Sequence, residues 1–296
     1  MTTYHRDGRE IVPIRSRKAA ALMPSYAVFR GGANRARGAV AILVLAVSLG
    51  GCVSDRDATG AVALSAVPLP DDRAALRAFA ADWERRHEAE PDNVVAAITY
   101  ARALRALTQY AQATAVLEAA VAKSPNDLAL LGAYGKALAD SGRPREAMDV
   151  LSRAHTPDRP DWSVLSSQGA VADQLGDHAS AVNYYDAALK LRPGEPTVLS
   201  NLGLSYALSK DLARAEEIMR LAAADPRADA RVRQNYALVL SLEGKFKQAE
   251  GVAATDLSPS EAAASVDAIR QMIASDARWR GVGQGTARMP IRPAAG

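Results

Sequence analysis

Few residues in this 296-residue sequence have types and spacing that suit chemistry: one thiol, four imidazoles, and amides that recur at a fixed interval. Cys52 is the only cysteine, which excludes an intramolecular disulfide and a zinc site built on a cysteine cluster. His5, His87, His155 and His178 are scattered, which argues against a His-built metal centre. The last three fall near expected helix ends, where solvated or capping roles are expected. GVGQG at 281–285 has neither a preceding strand nor a following helix, so it does not read as a phosphate cradle. Ser54 and Ser65 lack a His/Asp framework, and Glu84, Arg85 and Arg86 read as a solvated helix face. No enzyme is expected, and no cofactor, metal or small-molecule substrate. What remains is binding chemistry. Asn201 and Asn235 stand one 34-residue interval apart, and a side-chain amide donates and accepts at once.

Composition narrows the frame that must hold these residues. Hydrophobic residues make up 49% and aromatics only 5%. Alanine is abundant and Val/Ile/Phe-rich strand runs are scarce, so the chain reads as all-α. The net charge of +3 is unevenly spread. Residues 1–51 carry a balance of +6 and the remainder a balance of −3. A faintly acidic body argues against nucleic-acid binding driven by phosphate neutralisation.

The amino-terminal segment reads as an address. Arg30, Arg35 and Arg37 precede an apolar run of 11 residues, Ala39 to Leu49. That length suits a signal-peptide core and falls short of the roughly 20 residues of a membrane span. Leu49-Gly50-Gly51-Cys52 follows, and all four positions resemble the bacterial lipoprotein signal: an aliphatic residue, two small ones, then the cysteine that receives lipid. The resemblance implies cleavage before Cys52 and acylation of its thiol, palmitate being a typical chain. Met23 lies 29 residues before Cys52, so residues 1–22 are expected to precede the true start. Val53, where enteric-type sorting places Asp for inner-membrane retention, points to the outer membrane. Residues 52–70 read as the lipidated cysteine and a flexible tether, which would hold the folded part roughly 20–25 Å off the membrane.

From Val94 the sequence repeats every 34 residues, with starts at Val94, Leu128, Trp162, Pro196 and Ala230. Column 8 holds Ala101, Gly135, Gly169, Gly203 and Ala237, and column 20 holds Ala113, Ala147, Ala181, Ala215 and Ala249. Columns 11 and 24 are mostly large and apolar: Leu104, Leu138, Ala172, Tyr206 and Leu240, then Leu117, Leu151, Tyr185, Met219 and Ala253. Small residues at 8 and 20 would let two helices approach to about 8–10 Å. A mid-helix glycine costs about 0.5–1 kcal/mol, so its recurrence at one phase points to packing that disfavours a Cβ. Gly142, Gly176 and Gly244 share column 15 and suit the turn inside each helix pair. Gln168 at column 7, and Arg233 and Asp256 at columns 4 and 27 of the last repeat, depart from the pattern.

This pattern resembles the tetratricopeptide repeat. The fold expected is an all-α superhelix of about five helix pairs over 94–257. A capping helix is expected over 71–93, on Leu76, Phe79 and Trp83, and another over 258–275, on Val266, Ile269 and Ile273. Ser258 is its candidate N-cap. Residues 276–296, rich in Gly, Arg and Pro, read as a disordered tail. The resemblance implies a concave groove lined by the first helix of each pair at columns 2, 5, 6, 9 and 12. Arg102, Arg105, Lys136, Ser163, Ser166, Ser167, Asn201, Gln234 and Asn235 stand at such columns. In related peptide-binding repeats an Asn at column 6, here Asn201 and Asn235, bonds an extended peptide's backbone. The cations would suit a carboxylate or an acidic segment.

The segment 231–273, from the RQNYALVL helix through EGKFKQAE to DLSPSEAAASVDAIRQM, is similar to the carboxy-terminal part of the TadD-like lipoproteins of tight-adherence (Flp) pilus systems. That resemblance implies a pilotin-like scaffold on the periplasmic face of the outer membrane, with the secretin or another pilus secretion component as partner. A general cell-envelope adaptor lipoprotein is the alternative within the same class. An enzyme or its regulatory subunit is the alternative of a different class.

Overall fold

The computed structural model describes residues 67–275. The expected signal segment 1–51, the expected lipidation site Cys52, residues 53–66 of the tether and the tail 276–296 lie outside the described residues. Among the described residues there are twelve helices and no strand. Helix α1 spans Arg73–Ala89. Five pairs follow: α2 (Val94–Ala106) with α3 (Tyr110–Lys123), α4 (Leu128–Asp140) with α5 (Pro144–Leu151), α6 (Trp162–Leu175) with α7 (His178–Leu191), α8 (Pro196–Leu208) with α9 (Leu212–Ala224), and α10 (Ala230–Leu242) with α11 (Phe246–Ala253). Helix α12 spans Pro259–Ser275. The first helix of every pair begins where the 34-residue period begins.

Local chemistry sets those starts. Column 34 holds Asn93, Asp127, Asp161, Glu195 and Asp229. Asn93 accepts from the Ala96 N–H, Asp127 from Leu130, Asp161 from Ser163 and Val164, and Asp229 from Val232. Such a cap is worth about 1 kcal/mol. Helix α8 starts instead on Pro196, whose fixed φ suits a first turn. Within each pair the turn needs left-handed backbone at column 15. Gly142, Gly176 and Gly244 take it at φ 80°, 83° and 78°, while Thr108 and Lys210 do so at 64° and 65°. For those two side chains this backbone costs about 1–2 kcal/mol.

Column 8 meets column 24. A Cβ on Gly135 would lie 2.5 Å from Cγ of Leu151, one on Gly169 2.6 Å from the Tyr185 ring, and one on Gly203 2.8 Å from Cγ of Met219. The column-20 alanines are fully buried in all five pairs. Each pair also packs its second helix on the first helix of the next. Neighbouring first helices touch one another, and no comparable packing joins neighbouring second helices. The first helices therefore form the inner, concave side of the stack.

Both ends are covered. Leu76 of α1 is buried on the first pair, with Phe79 and Trp83 against the same cluster. Asp72 caps α1 through the N–H groups of Ala74 and Ala75. At the other end Val266 is buried on the last pair, Ile273 packs on a neighbouring cluster, and Ile269 is half-buried. Ser258 and Glu261 form a capping box: the Ser258 N–H donates to Glu261 at 3.0 Å and the Glu261 N–H to Ser258 Oγ at 3.4 Å.

The pattern departures have physical accounts. Arg233 and Asp256 form a two-pronged ion pair at 2.7 and 2.6 Å, so each compensates the other. Gln168 is buried and bonds His155 Nε2 at 3.1 Å. Helix α5 stops at Leu151, and Thr156 and Arg159 then close a turn around Pro157-Asp158. A residue before proline is held away from helical backbone, which keeps Thr156 out of a helix. The last residues of the expected tether also differ from a free linker. Leu69 packs on the first hydrophobic cluster, and the Val67 carbonyl accepts from Arg102 at 3.3 Å.

Candidate protein-binding groove

The concave side presents its polar residues in two groups. At the amino-terminal end Arg102 and Arg105 lie on α2 and Lys136 on α4, all half-buried. Arg105 pairs with Asp140 of α4 at 2.6 Å, and Arg102 holds the Val67 carbonyl. Lys136 Nζ donates to Ser163 Oγ on α6 at 3.3 Å. Burial and the Arg105 guanidinium pull its ammonium down to about 8, with Asp161 opposing and Arg102 adding to the pull. Among the described residues Lys136 makes no ion pair. These three cations and Ser163 thus lie together across three pairs, with the carboxylates of Asp140 and Asp161 among them.

The second group is an amide ladder. Asn201 Nδ2 on α8 donates to Ser166 Oγ on α6 at 3.4 Å, and Asn235 Nδ2 on α10 donates to Ser200 Oγ on α8 at 3.1 Å. Each bond joins column 6 of one pair to column 5 of the pair before it. An Asn amide has two N–H donors and a two-acceptor carbonyl, so one N–H spent on a serine leaves the carbonyl and the other N–H for a ligand. Ser167 bonds the Ser163 carbonyl at 2.7 Å, and Gln234 is exposed beside Asn235. Sequence reasoning passed over Ser200, although it shares column 5 with Ser166. The cue was available in the repeat phase.

Behind the ladder lies a buried carboxylate that was also missed. Asp173, at column 12 of the third pair, accepts from His178 Nδ1 at 2.7 Å, Ser205 Oγ at 2.8 Å and the Tyr185 hydroxyl at 3.0 Å. Burial raises its pKa, and the three donors oppose that shift. His178 is therefore neither simply solvated nor a cap, in contrast to the expectation for it. It belongs to a network that ties α6, α7 and α8 together. Among the described residues no group of three His, Cys, Asp or Glu side chains could hold a metal.

Family models described as tetratricopeptide repeat match residues 104–165 and 167–230. This is an all-α tetratricopeptide-repeat superhelix. Solved structures with the same superhelix include a thermophilic repeat protein of Thermus thermophilus, 22% identical, covering 56% of this chain and 91% of that one at a TM-score of 0.51. PilW, described as a widely conserved type IV pilus biogenesis factor, is 20% identical, covering 73% and 92% at a TM-score of 0.50. The Cut9–Hcn1 hetero-tetramer of the APC/C is 12% identical at a TM-score of 0.52, with 72% of this chain matching 46% of that one. At these identities the likeness concerns the fold. No curated protein sequence matches the chain. In the superhelix's terms, Asn201 and Asn235 occupy the inner face of the fourth and fifth pairs, and the cations lie on the first and second.

Proposed function

We propose that this tetratricopeptide-repeat scaffold is a pilotin-like lipoprotein for biogenesis of a tight-adherence pilus. Acylation at Cys52 anchors it to the periplasmic face of the outer membrane, and the concave face binds an extended segment of the secretin. The amide ladder carries the binding part of this reading. Asn201 and Asn235 stand one repeat apart on the same face, each braced by a serine of the preceding repeat. Braced amides lose less side-chain entropy on binding than free ones. The pilus assignment is supported by the likeness of 231–273 to TadD-like lipoproteins and by the lipoprotein signal at 49–52. PilW, a type IV pilus biogenesis factor with the same superhelix, is in keeping with it.

Deleting the gene should remove secretin multimers from the outer-membrane fraction. Re-expression of the chain should restore them, and re-expression with Cys52→Ser should not. Multimers of unchanged abundance and location in the deletion strain would refute the role.

A further inference from the structure

We propose that the groove takes an extended protein segment carrying a carboxylate about five or six residues from an aliphatic side chain, the carboxylate at Lys136 and the aliphatic residue at Leu204. This rests on the concave face being the binding surface and adds the chemistry that the face reads. Column 9 of the five pairs holds Arg102, Lys136, Ala170, Leu204 and Leu238, so one line along the inner side changes from cationic to small to aliphatic. At the aliphatic end Leu204 and Leu238 are half-buried, and Leu208, one turn further along α8, is 36% exposed. Leu204 follows Asn201 by three residues and Leu238 follows Asn235 by three, a spacing that sets each leucine beside its amide on one helix face. A backbone held by the amide ladder therefore lays its side chains on leucine.

The cationic end lacks an acid. Among the described residues Lys136 makes no ion pair, and Arg105 and Arg102 stand near enough to disfavour its charge. Of the two carboxylates in this cluster, Asp140 is held by Arg105 at 2.6 Å, and Asp161 caps α6 through the N–H groups of Ser163 and Val164. Three cations thus face two carboxylates that already have donors, and one carboxylate from the ligand makes the count even. A half-buried ammonium gains more from that carboxylate than an exposed one, because less water screens the pair. The spacing follows from the stack. Neighbouring first helices pack directly, so α4 to α8 is two steps of about 8–10 Å. An extended chain at about 3.3 Å per residue covers that distance in about five or six residues.

Selection of a random-peptide phage library on the immobilised full chain tests this. The enriched sequences should share an Asp or Glu about five or six residues from a Leu, Ile, Val or Met. A synthetic peptide of the most enriched sequence should bind at least tenfold more weakly once its acid is replaced by the matching amide. Lys136→Met should bind the acid and amide forms alike, each with the affinity that wild type has for the amide form, which also shows that the variant is folded. Replacing the peptide's aliphatic residue by Asn should weaken binding to wild type and to Lys136→Met equally. Enriched sequences without the acid and aliphatic pair would overturn the proposal. So would a Lys136→Met chain that still prefers the acid form. If such sequences nevertheless need Asn201 and Asn235, the inner face stands as the binding surface and only this inference falls. If nothing is enriched over a selection on the Asn201→Ala, Asn235→Ala variant, both fall.

Discussion

Gly169→Ala should destabilise the protein by about 2 kcal/mol, although alanine is the better helix former. Its Cβ would sit 2.6–2.8 Å from three carbons of the Tyr185 ring. That ring is buried, and its hydroxyl is bound to Asp173, so it has no easy direction in which to yield. Overpacking of this kind costs about 1–3 kcal/mol, at the upper end where a rigid ring must move. The helix-propensity gain of about 0.5–1 kcal/mol offsets only part of that. Gly132→Ala is the internal control. Its Cβ would meet Val164 Cγ2 at 3.4 Å and Ala154 Cβ at 4.0 Å, ordinary contacts, so the propensity gain should leave it neutral or slightly stabilised. Urea denaturation of the two variants should move the midpoint down for residue 169 and not for residue 132. Equal midpoints would show that column 8 is not where the helices touch.

Asp173→Ala should cost about 3 kcal/mol near neutral pH. The substitution removes the acceptor of the Ser205 hydroxyl and one partner of the Tyr185 hydroxyl, and both residues are buried. A buried donor left without an acceptor costs about 1–3 kcal/mol, and relief of the buried charge returns part of the total. The pH dependence has a definite sign. Burial raises the carboxyl pKa in the folded state above its unfolded value. The folded state then binds more protons between those two values, so this residue's contribution is greatest below the unfolded pKa and declines as pH rises through the folded one. Asp173→Asn keeps the shape and removes the titration. Its destabilisation relative to wild type should therefore be larger near pH 4 than near pH 7. A loss that grows with rising pH would mean that the carboxylate is stabilised, not penalised, by its surroundings.

Much of the superhelix was legible in the sequence because its packing repeats. Columns 8, 20 and 24 are fixed by helix–helix distance, and that constraint recurs in every pair, so phase alone reveals it. Features made by one pair only were not legible in this way. The Arg233–Asp256 ion pair shows in sequence as two departures, and only their juxtaposition makes them one feature. The early stop of α5 depends on a turn at Pro157-Asp158 that has no counterpart in the other pairs. Asp173 stands at a column expected to face the groove, yet it is drawn inward by donors from two other helices, one of them 32 residues away. For the groove itself, phase picked out both asparagines but not the serine bracing of Asn235, since the choice of Ser166 without Ser200 left the column half read. The docking of Leu69 and Val67 was hidden by a composition that reads equally well as a linker.

The concave face as the binding surface is tested most directly by calorimetric titration of the full chain with the purified secretin proposed as its partner. Wild type should bind. The double variant Asn201→Ala, Asn235→Ala should bind at least tenfold more weakly while its helix content by circular dichroism matches that of wild type. Two lost hydrogen bonds are worth about 2 kcal/mol together, which exceeds the 1.4 kcal/mol of a tenfold change. Leu221→Ser, at an exposed position on the outer helix α9, should bind as wild type does. Equal affinity for wild type and the asparagine double variant, or a loss confined to Leu221→Ser, would contradict the assignment of the inner face.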